Sequence, residues 1–299
     1  IQKAPYQKDT TDASESQYDM LKRLEVSREQ NLDLKQYCMD KGIVFLTTPF
    51  DEESLEEIDD LDLPAYKVSS TDTTNLPFLK KIAKKGKPIF LSTGMSYLSE
   101  VKLALETIYE HNKDVVLLQC TANYPIQDNE ANLAVINTYR DNFDILLGYS
   151  DHSVGVGSAP FAIPMGAKVV EKHFTLDKND EGPDHAASLS PDELIEFVKT
   201  VHRVDSYMGS KIKEPSLSEQ DTRKSLQKCM VASQDIKKGL AKCFVVIDEQ
   251  RKVIGYYTLS SESLGRDSVP EKYMIKIPVN YNVPVILLGR LARHSSRKA

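Results

Sequence analysis

Two stretches decide the fold: Leu146-Leu147-Gly148-Tyr149-Ser150-Asp151-His152-Ser153 and Val169-Val170-Glu171-Lys172-His173-Phe174. Each is an apolar, β-rich run that closes on a histidine. The two histidines stand 21 residues apart, from 152 to 173, which is room for one strand–helix–strand crossover. In a parallel α/β fold that spacing sets both imidazoles at the C-terminal ends of neighbouring strands, where such folds place their chemistry. Two converging imidazoles, with Asp151 and Glu171 beside them, fit a divalent-cation site.

The same texture recurs outward from this pair. Apolar, β-branched or aromatic runs occupy residues 43–47, 65–69, 88–92, 115–120, 145–149 and 167–171, starting about 20 to 30 residues apart. Amphipathic segments lie between most of them, at 76–83, 100–109, 133–139 and 158–163. The runs are almost continuously apolar, as expected of parallel strands covered on both faces. Upstream, residues 15–24 have helical spacing, and Ser27-Arg28-Glu29-Gln30 is a capping box for a second helix. Residues 1–14 are polar and read as a loop. Ser190-Pro191-Asp192-Glu193 opens a long helix with a Ser cap, Pro in the first turn and Glu at the third position.

Six such units predict either a six-stranded open sheet or an α/β (β/α)8 TIM barrel lacking two strands, truncated to about six; the resemblance given below implies that the truncation is N-terminal. Every run ends in polar residues, and a site fed by all strands favours the barrel rim. The barrel domain is expected over 1–215. A charged linker follows at 216–240, and 241–299 form a small β-rich α+β segment with a hairpin pattern at 244–247 and 253–259.

The 299 residues carry a formal charge of −6, with 40% hydrophobic and 27% charged side chains. That describes a globular chain with ample core, without the clustered basic surface a nucleic-acid partner requires. The four cysteines form no CxxC pair, so neither a zinc knuckle nor a disulfide framework is expected. No run approaches the roughly 18 apolar residues of a membrane span. A reducing cytoplasm is the expected compartment.

The strand ends offer three kinds of groups. Thr48, Lys67, Ser70, Ser92 and Ser150 form a set of hydroxyls and one amine suited to a phosphate. His152 and His173 form the metal-competent pair, suited to Mn²⁺ or another divalent Lewis acid acting on a carbonyl. Asp72, Asp151, Glu171 and Asp184 supply carboxylates for acid/base work or for sugar hydroxyls. Gly182-Pro183-Asp184-His185 turns across the rim before the Ser190 cap.

With these residues in place, the chain resembles the sialic acid synthase family, which makes nonulosonic acids. The carriers are residues 45–51 (Phe-Leu-Thr-Thr-Pro-Phe-Asp), 66–70 (Tyr-Lys-Val-Ser-Ser) and 91–95 (Leu-Ser-Thr-Gly-Met). Residues 119–125 (Gln-Cys-Thr-Ala-Asn-Tyr-Pro), 148–152 (Gly-Tyr-Ser-Asp-His), 171–174 (Glu-Lys-His-Phe) and 182–184 (Gly-Pro-Asp) complete the set. The likeness spans about residues 1 to 235, in order.

The resemblance implies a barrel that condenses phosphoenolpyruvate with an N-acylated amino sugar and releases phosphate. It implies that His152 and His173 hold Mn²⁺ or Mg²⁺, and that Lys67, Thr48, Ser70, Ser92 and Ser150 surround phosphoenolpyruvate. Asp72 falls where the family carries an acid/base residue, usually Glu, and Lys67 joins it in the catalytic set. Tyr124, Glu171, Asp184 and Phe50 would face the sugar. The family's first two strands have no counterpart here, and its homodimer uses a C-terminal antifreeze-like domain of which only about 223–239 match. Residues 240–299 instead resemble part of a GCN5-related acetyltransferase, through 243–248, 253–260 and 284–292. Two further readings share these residues: a catalytically inactive truncated or fused fragment, and a metal-dependent aldolase-type lyase.

Overall fold

Side chains alternate across a strand, and that parity sorts the residues of this protein into a site and a core. A computed structural model describes residues 2–227 and, beyond them, the backbones of three strands. The chain divides into two compact units, 1–212 and 213–299.

The first unit is built on five parallel strands in sequential order: β1 Tyr66–Val68, β2 Ile89–Ser92, β3 Val115–Cys120, β4 Leu146–Asp151 and β5 Val169–Lys172. Helices α1 Pro5–Thr10, α2 Gln17–Leu24, α3 Arg28–Asp40 and α4 Glu52–Asp60 precede the sheet. Helices α5 Leu76–Lys84, α6 Leu98–Tyr109, α7 Val135–Asn142 and α8 Ala159–Ala162 make the crossovers, and α9 Pro191–Met208 follows β5. Parallel neighbours demand such crossovers, because a tight turn cannot return the chain to the same end.

One sheet face carries Tyr66, Val68, Ile89, Leu91, Val115, Leu117, Leu147 and Tyr149. These pack with Leu79, Ile82, Val101, Leu105, Ile108 and Ile136 of the helices into the main core. Registers Lys67↔Phe90, Ser92↔Leu118 and Ser150↔Glu171 place the alternate residues on the other face. Position 148, on that second face, is glycine because a Cβ there would collide with Leu118 and lie 2.7 Å from the Val169 carbonyl oxygen. The caps form as the sequence predicts. Ser27 Oγ accepts from Gln30 N at 3.3 Å while Gln30 Oε1 accepts from Ser27 N at 2.8 Å. Ser190 and Glu193 do the same at the start of α9.

Two expectations are corrected. Residues 43–47 are not a strand, so the sheet has five strands rather than six, and it stays open at both edges among the described residues. The run has the β-branched composition, but Ile43 and Val44 are 64% and 69% exposed. The one bond of this kind, Ile43 N to Cys38 O, closes α3. Propensity alone makes no ladder; a strand forms where a neighbour accepts its N–H and C=O groups. Residues 1–14 are not all loop, since Pro5–Thr10 is helical. Its anchor is tertiary: the buried Lys3 ammonium donates to Thr11 Oγ1 at 2.9 Å, Asp12 O at 2.8 Å and Glu15 Oε2 at 2.9 Å. Local polarity cannot show such an anchor.

In the second unit, α10 spans Gln220–Leu226, within the expected linker. β6 Lys242–Ile247, β7 Val253–Leu264 and β8 Val283–Arg293 form an antiparallel sheet in that order. The predicted hairpin is β6–β7, with β7 running on past residue 259 to Leu264. The antifreeze-like likeness over 223–239 and the side chains that carry the acetyltransferase likeness lie largely outside the described residues.

Candidate functional site

The site-bearing face collects its polar groups at the C-terminal ends of the strands. Lys67 on β1 lies 3.5 Å from Glu171 Oε2 on β5 and donates to its neighbour's carbonyl, Val68 O, at 3.1 Å. Ser150 on β4 donates to Glu171 Oε1 at 2.7 Å, as the register Ser150↔Glu171 requires. Glu171 therefore ties the first strand to the last two.

Beyond Ser150 and Glu171 stand the two histidines, ring centroids 5.3 Å apart and edge to face. His152 is buried, and its Nδ1 meets the Thr121 carbonyl at 2.8 Å. A carbonyl only accepts, so the proton sits on Nδ1 and Nε2 presents a lone pair. Ser150 Oγ lies 3.4 Å from Nε2, but its single proton already goes to Glu171. Burial first, and repulsion from His173 in a lesser degree, push His152 down to about 4. It is thus a neutral imidazole near pH 7. His173 Nδ1 faces Asp184 Oδ2 at 3.7 Å, and burial raises the Asp184 carboxyl.

This arrangement fits a divalent cation. A metal-ligating imidazole characteristically donates its other N–H to a carbonyl or carboxylate, which fixes ring and tautomer. His152 has that bond to Thr121, and His173 has Asp184 beside it. Among the described residues no group of three or more His, Cys, Asp or Glu side chains gathers in ligating geometry. Two imidazoles alone would leave the remaining positions of a bound cation to water or substrate.

Tyr124 lies over this pair, 4.0 Å from the His152 ring and 5.2 Å from the His173 ring. Ser70, in the turn after β1, accepts from Gly94 N at 2.9 Å and lies 3.6 Å from Cys120 Sγ. Ser92 ends β2 on the same face, and its buried hydroxyl has no hydrogen-bond partner among the described residues. Buried hydroxyls without partners are uncommon and call for a ligand or water.

The structure thus brings together Lys67, Ser150, Glu171, His152, His173, Asp184 and Tyr124, with Ser70 and Ser92 on the adjoining strand ends. Among the described residues, no side-chain hydrogen bond, ion pair or ring contact joins the others to them. Asp72 is buried, and its carboxylate takes Asn75 Nδ2 at 3.0 Å and Thr71 Oγ1 at 3.3 Å. Thr48 is half-buried in the unpaired run, and Phe50 is 62% exposed just before α4. Asp151 belongs to the opposite face, where it meets Lys172.

Two residues escaped sequence reasoning. Cys120 lies 3.9 Å from His152 Nδ1, and burial pushes its thiol up. Its parity with Leu118 was a usable signal. Tyr6 stacks on Tyr124 with centroids 5.1 Å apart, and burial followed by the Asp184 charge raises it to about 12. Helix α1 is fastened there by Thr10 Oγ1 to Pro183 O at 3.4 Å. No local pattern announces a contact between residues 6 and 124.

A family model described as the NeuB family matches residues 1–213. An N,N'-diacetyllegionaminic acid synthase from Campylobacter jejuni is 44% identical over 233 residues, covering 77% of this chain and 70% of the relative. The mouse N-acetylneuraminate-9-phosphate synthase is 41% identical over 212 residues, 71% of this chain and 59% of the relative. The crystal structure of N-acetylneuraminic acid (sialic acid) synthetase from Leptospira borgpetersenii, in complex with citrate, superposes with a TM-score of 0.66 at 32% identity. That alignment covers 71% of this chain and 75% of the other. This chain therefore spans 59% to 70% of the length of those two curated relatives.

Proposed function

The chain belongs to the NeuB family, and from that premise we propose that it joins phosphoenolpyruvate to the open-chain form of an N-acylated hexose, yielding a nonulosonic acid and inorganic phosphate. The convergence of Lys67, Ser150, Glu171, His152 and His173 on one sheet face, at the C-terminal strand ends, carries this reading.

Lys67 supplies a point charge for the phosphate or carboxylate of phosphoenolpyruvate. Ser70, Ser92 and Ser150 supply hydroxyls around it, and the unpartnered Ser92 hydroxyl is the one suited to donate to an incoming oxygen. Thr48 would reach the same ligand from the sheet edge. Glu171 and Asp184 accept from sugar hydroxyls, Tyr124 lies against the sugar, and Phe50 meets it from outside. A divalent cation, Mn²⁺ or Mg²⁺, held by His152 and His173 would supply Lewis-acid polarisation of the sugar aldehyde. C3 of phosphoenolpyruvate bonds to the aldehyde carbon, whose oxygen takes up a proton. Water adds at C2, and the C2–O bond to phosphate breaks. Asp72, held by Asn75, gives and takes the protons of these steps. Of the two candidate sugars, N-acetylmannosamine and a 2,4-diacetamido hexose, the second is favoured by the 44% identical relative, whose product carries two acetyl groups.

Phosphate release by the full chain, with Mn²⁺, phosphoenolpyruvate and each sugar in turn, tests this. The expected result is release that needs both substrates and is abolished by EDTA. No release from folded protein would overturn the proposal. It would favour the inactive reading.

A further inference from the structure

The buried ion pair on the far side of the site strands has no part in the chemistry above. Asp151 and Lys172 are Cα partners across β4 and β5, and they alternate with Ser150, His152, Glu171 and His173. Both side chains point to the opposite face, where Lys172 Nζ meets Asp151 Oδ2 at 3.1 Å, with side-chain exposures of 3% and 0%. The chain leaving His152 folds back over this carboxylate. Asp151 Oδ1 accepts from Ser153 N at 2.9 Å, Ser153 Oγ at 2.6 Å and Ser158 Oγ at 3.0 Å; Oδ2 accepts from Ala159 N at 3.1 Å. Lys172 also donates to the Ser153 carbonyl. Gly157, at φ +59°, closes the loop; a side chain there would overlap Ser153 Oγ and stand 3.2 Å from Lys172 Nζ.

A buried pair of this kind is poorly explained by stability. Taking both charges out of water costs about as much as their attraction returns, and neutral replacements of similar shape are often no less stable. What a bond between register partners does fix is register. A slip of one residue between β4 and β5 would turn every side chain of one strand to the wrong face. His152 and His173 flank this pair in sequence, each one residue further along. We infer that Asp151, Lys172 and the 153–158 loop are a positioning device that holds His152 and His173 in joint ligating orientation from behind the sheet. This rests on the reading of the two histidines as metal ligands.

The test uses the full chain with Asp151→Asn and Lys172→Gln together, a neutral pair of similar size, and with Lys172→Met alone as a second variant. Thermal unfolding reports the fold, and the free Mn²⁺ signal in electron paramagnetic resonance reports binding without turnover. The expected result is a folded protein whose Mn²⁺ affinity falls roughly 10- to 100-fold, the loss typical when the partners that orient metal ligands are removed. Lys172→Arg, which keeps the charge, should recover most of it. Equal Mn²⁺ affinity in either variant, if folded, would overturn the inference alone. An unmutated chain that binds no Mn²⁺ would overturn the metal reading and this inference with it.

Discussion

Residues 43–48 and residues 146–152 are written in the same style, an apolar run closing on polar side chains, yet they meet different fates. The second run becomes β4, paired on both sides by β3 and β5 and backed by helices, and its last residues enter a dense polar network. The first run stays outside any ladder, with Ile43 and Val44 exposed and Phe45, Thr47 and Thr48 only half-buried. Composition and polar terminus are shared, so neither makes a strand end into a site. The difference is a neighbour on each edge, which fixes register and hence the face each polar group takes.

The comparison can be broken most directly at function. His152→Ala should cost more than the roughly 10- to 100-fold in Mn²⁺ affinity expected from loss of an orienting partner, whereas Phe50→Ala should leave it unchanged. Calorimetric titration of Mn²⁺ checks both, and equal losses would erase the distinction. Stability gives the next effect. Leu91, fully buried on the core face of β2, should cost roughly 2–5 kcal/mol as Leu91→Ala in urea unfolding. Val44→Ala should stay within about 0.5 kcal/mol. A large Val44 effect would show that the unpaired run is covered in solution.

The smallest effect lies under β1. The buried Tyr66 hydroxyl donates to Asp59, which also meets Lys85 Nζ at 3.0 Å. That hydroxyl first, and Lys85 after it, hold the Asp59 carboxyl below its usual range. A depressed folded-state pKa means the unfolded chain binds the proton more readily. This contribution is present above the ordinary Asp pKa near 4 and is lost as pH falls through the depressed folded value. Tyr66→Phe should cost about 1 kcal/mol at neutral pH, with the gap to the unmutated protein narrowing below about pH 4. Acid-unfolding curves of the two proteins give the comparison, and a constant gap would exclude the linkage.

Much of this was legible in the residues. Strand–helix alternation located β1 to β5, and Ser27 and Ser190 announced their helices through side-chain chemistry confined to one turn. The His152–His173 spacing placed two imidazoles on adjacent strand ends. What failed to show was long-range. Whether residues 43–47 pair depends on a neighbour, not on Ile43 or Val44. The α1 helix depends on Lys3 finding Glu15, and Tyr6 on finding Tyr124. Asp151 reads in sequence as one more carboxylate beside the histidines; only strand parity assigns it to the far face.

The unpartnered Ser92 hydroxyl has a consequence for how the protein trades robustness against use. A buried hydroxyl left without a partner costs about 1–3 kcal/mol, and a ligand oxygen that accepts from it would return that sum on binding. On the function proposed above, Ser92→Ala should raise the melting temperature of the free protein while weakening the binding of phosphoenolpyruvate. A variant selected for heat tolerance alone would tend to lose this serine, and with it the binding energy that the proposed function assigns to its hydroxyl.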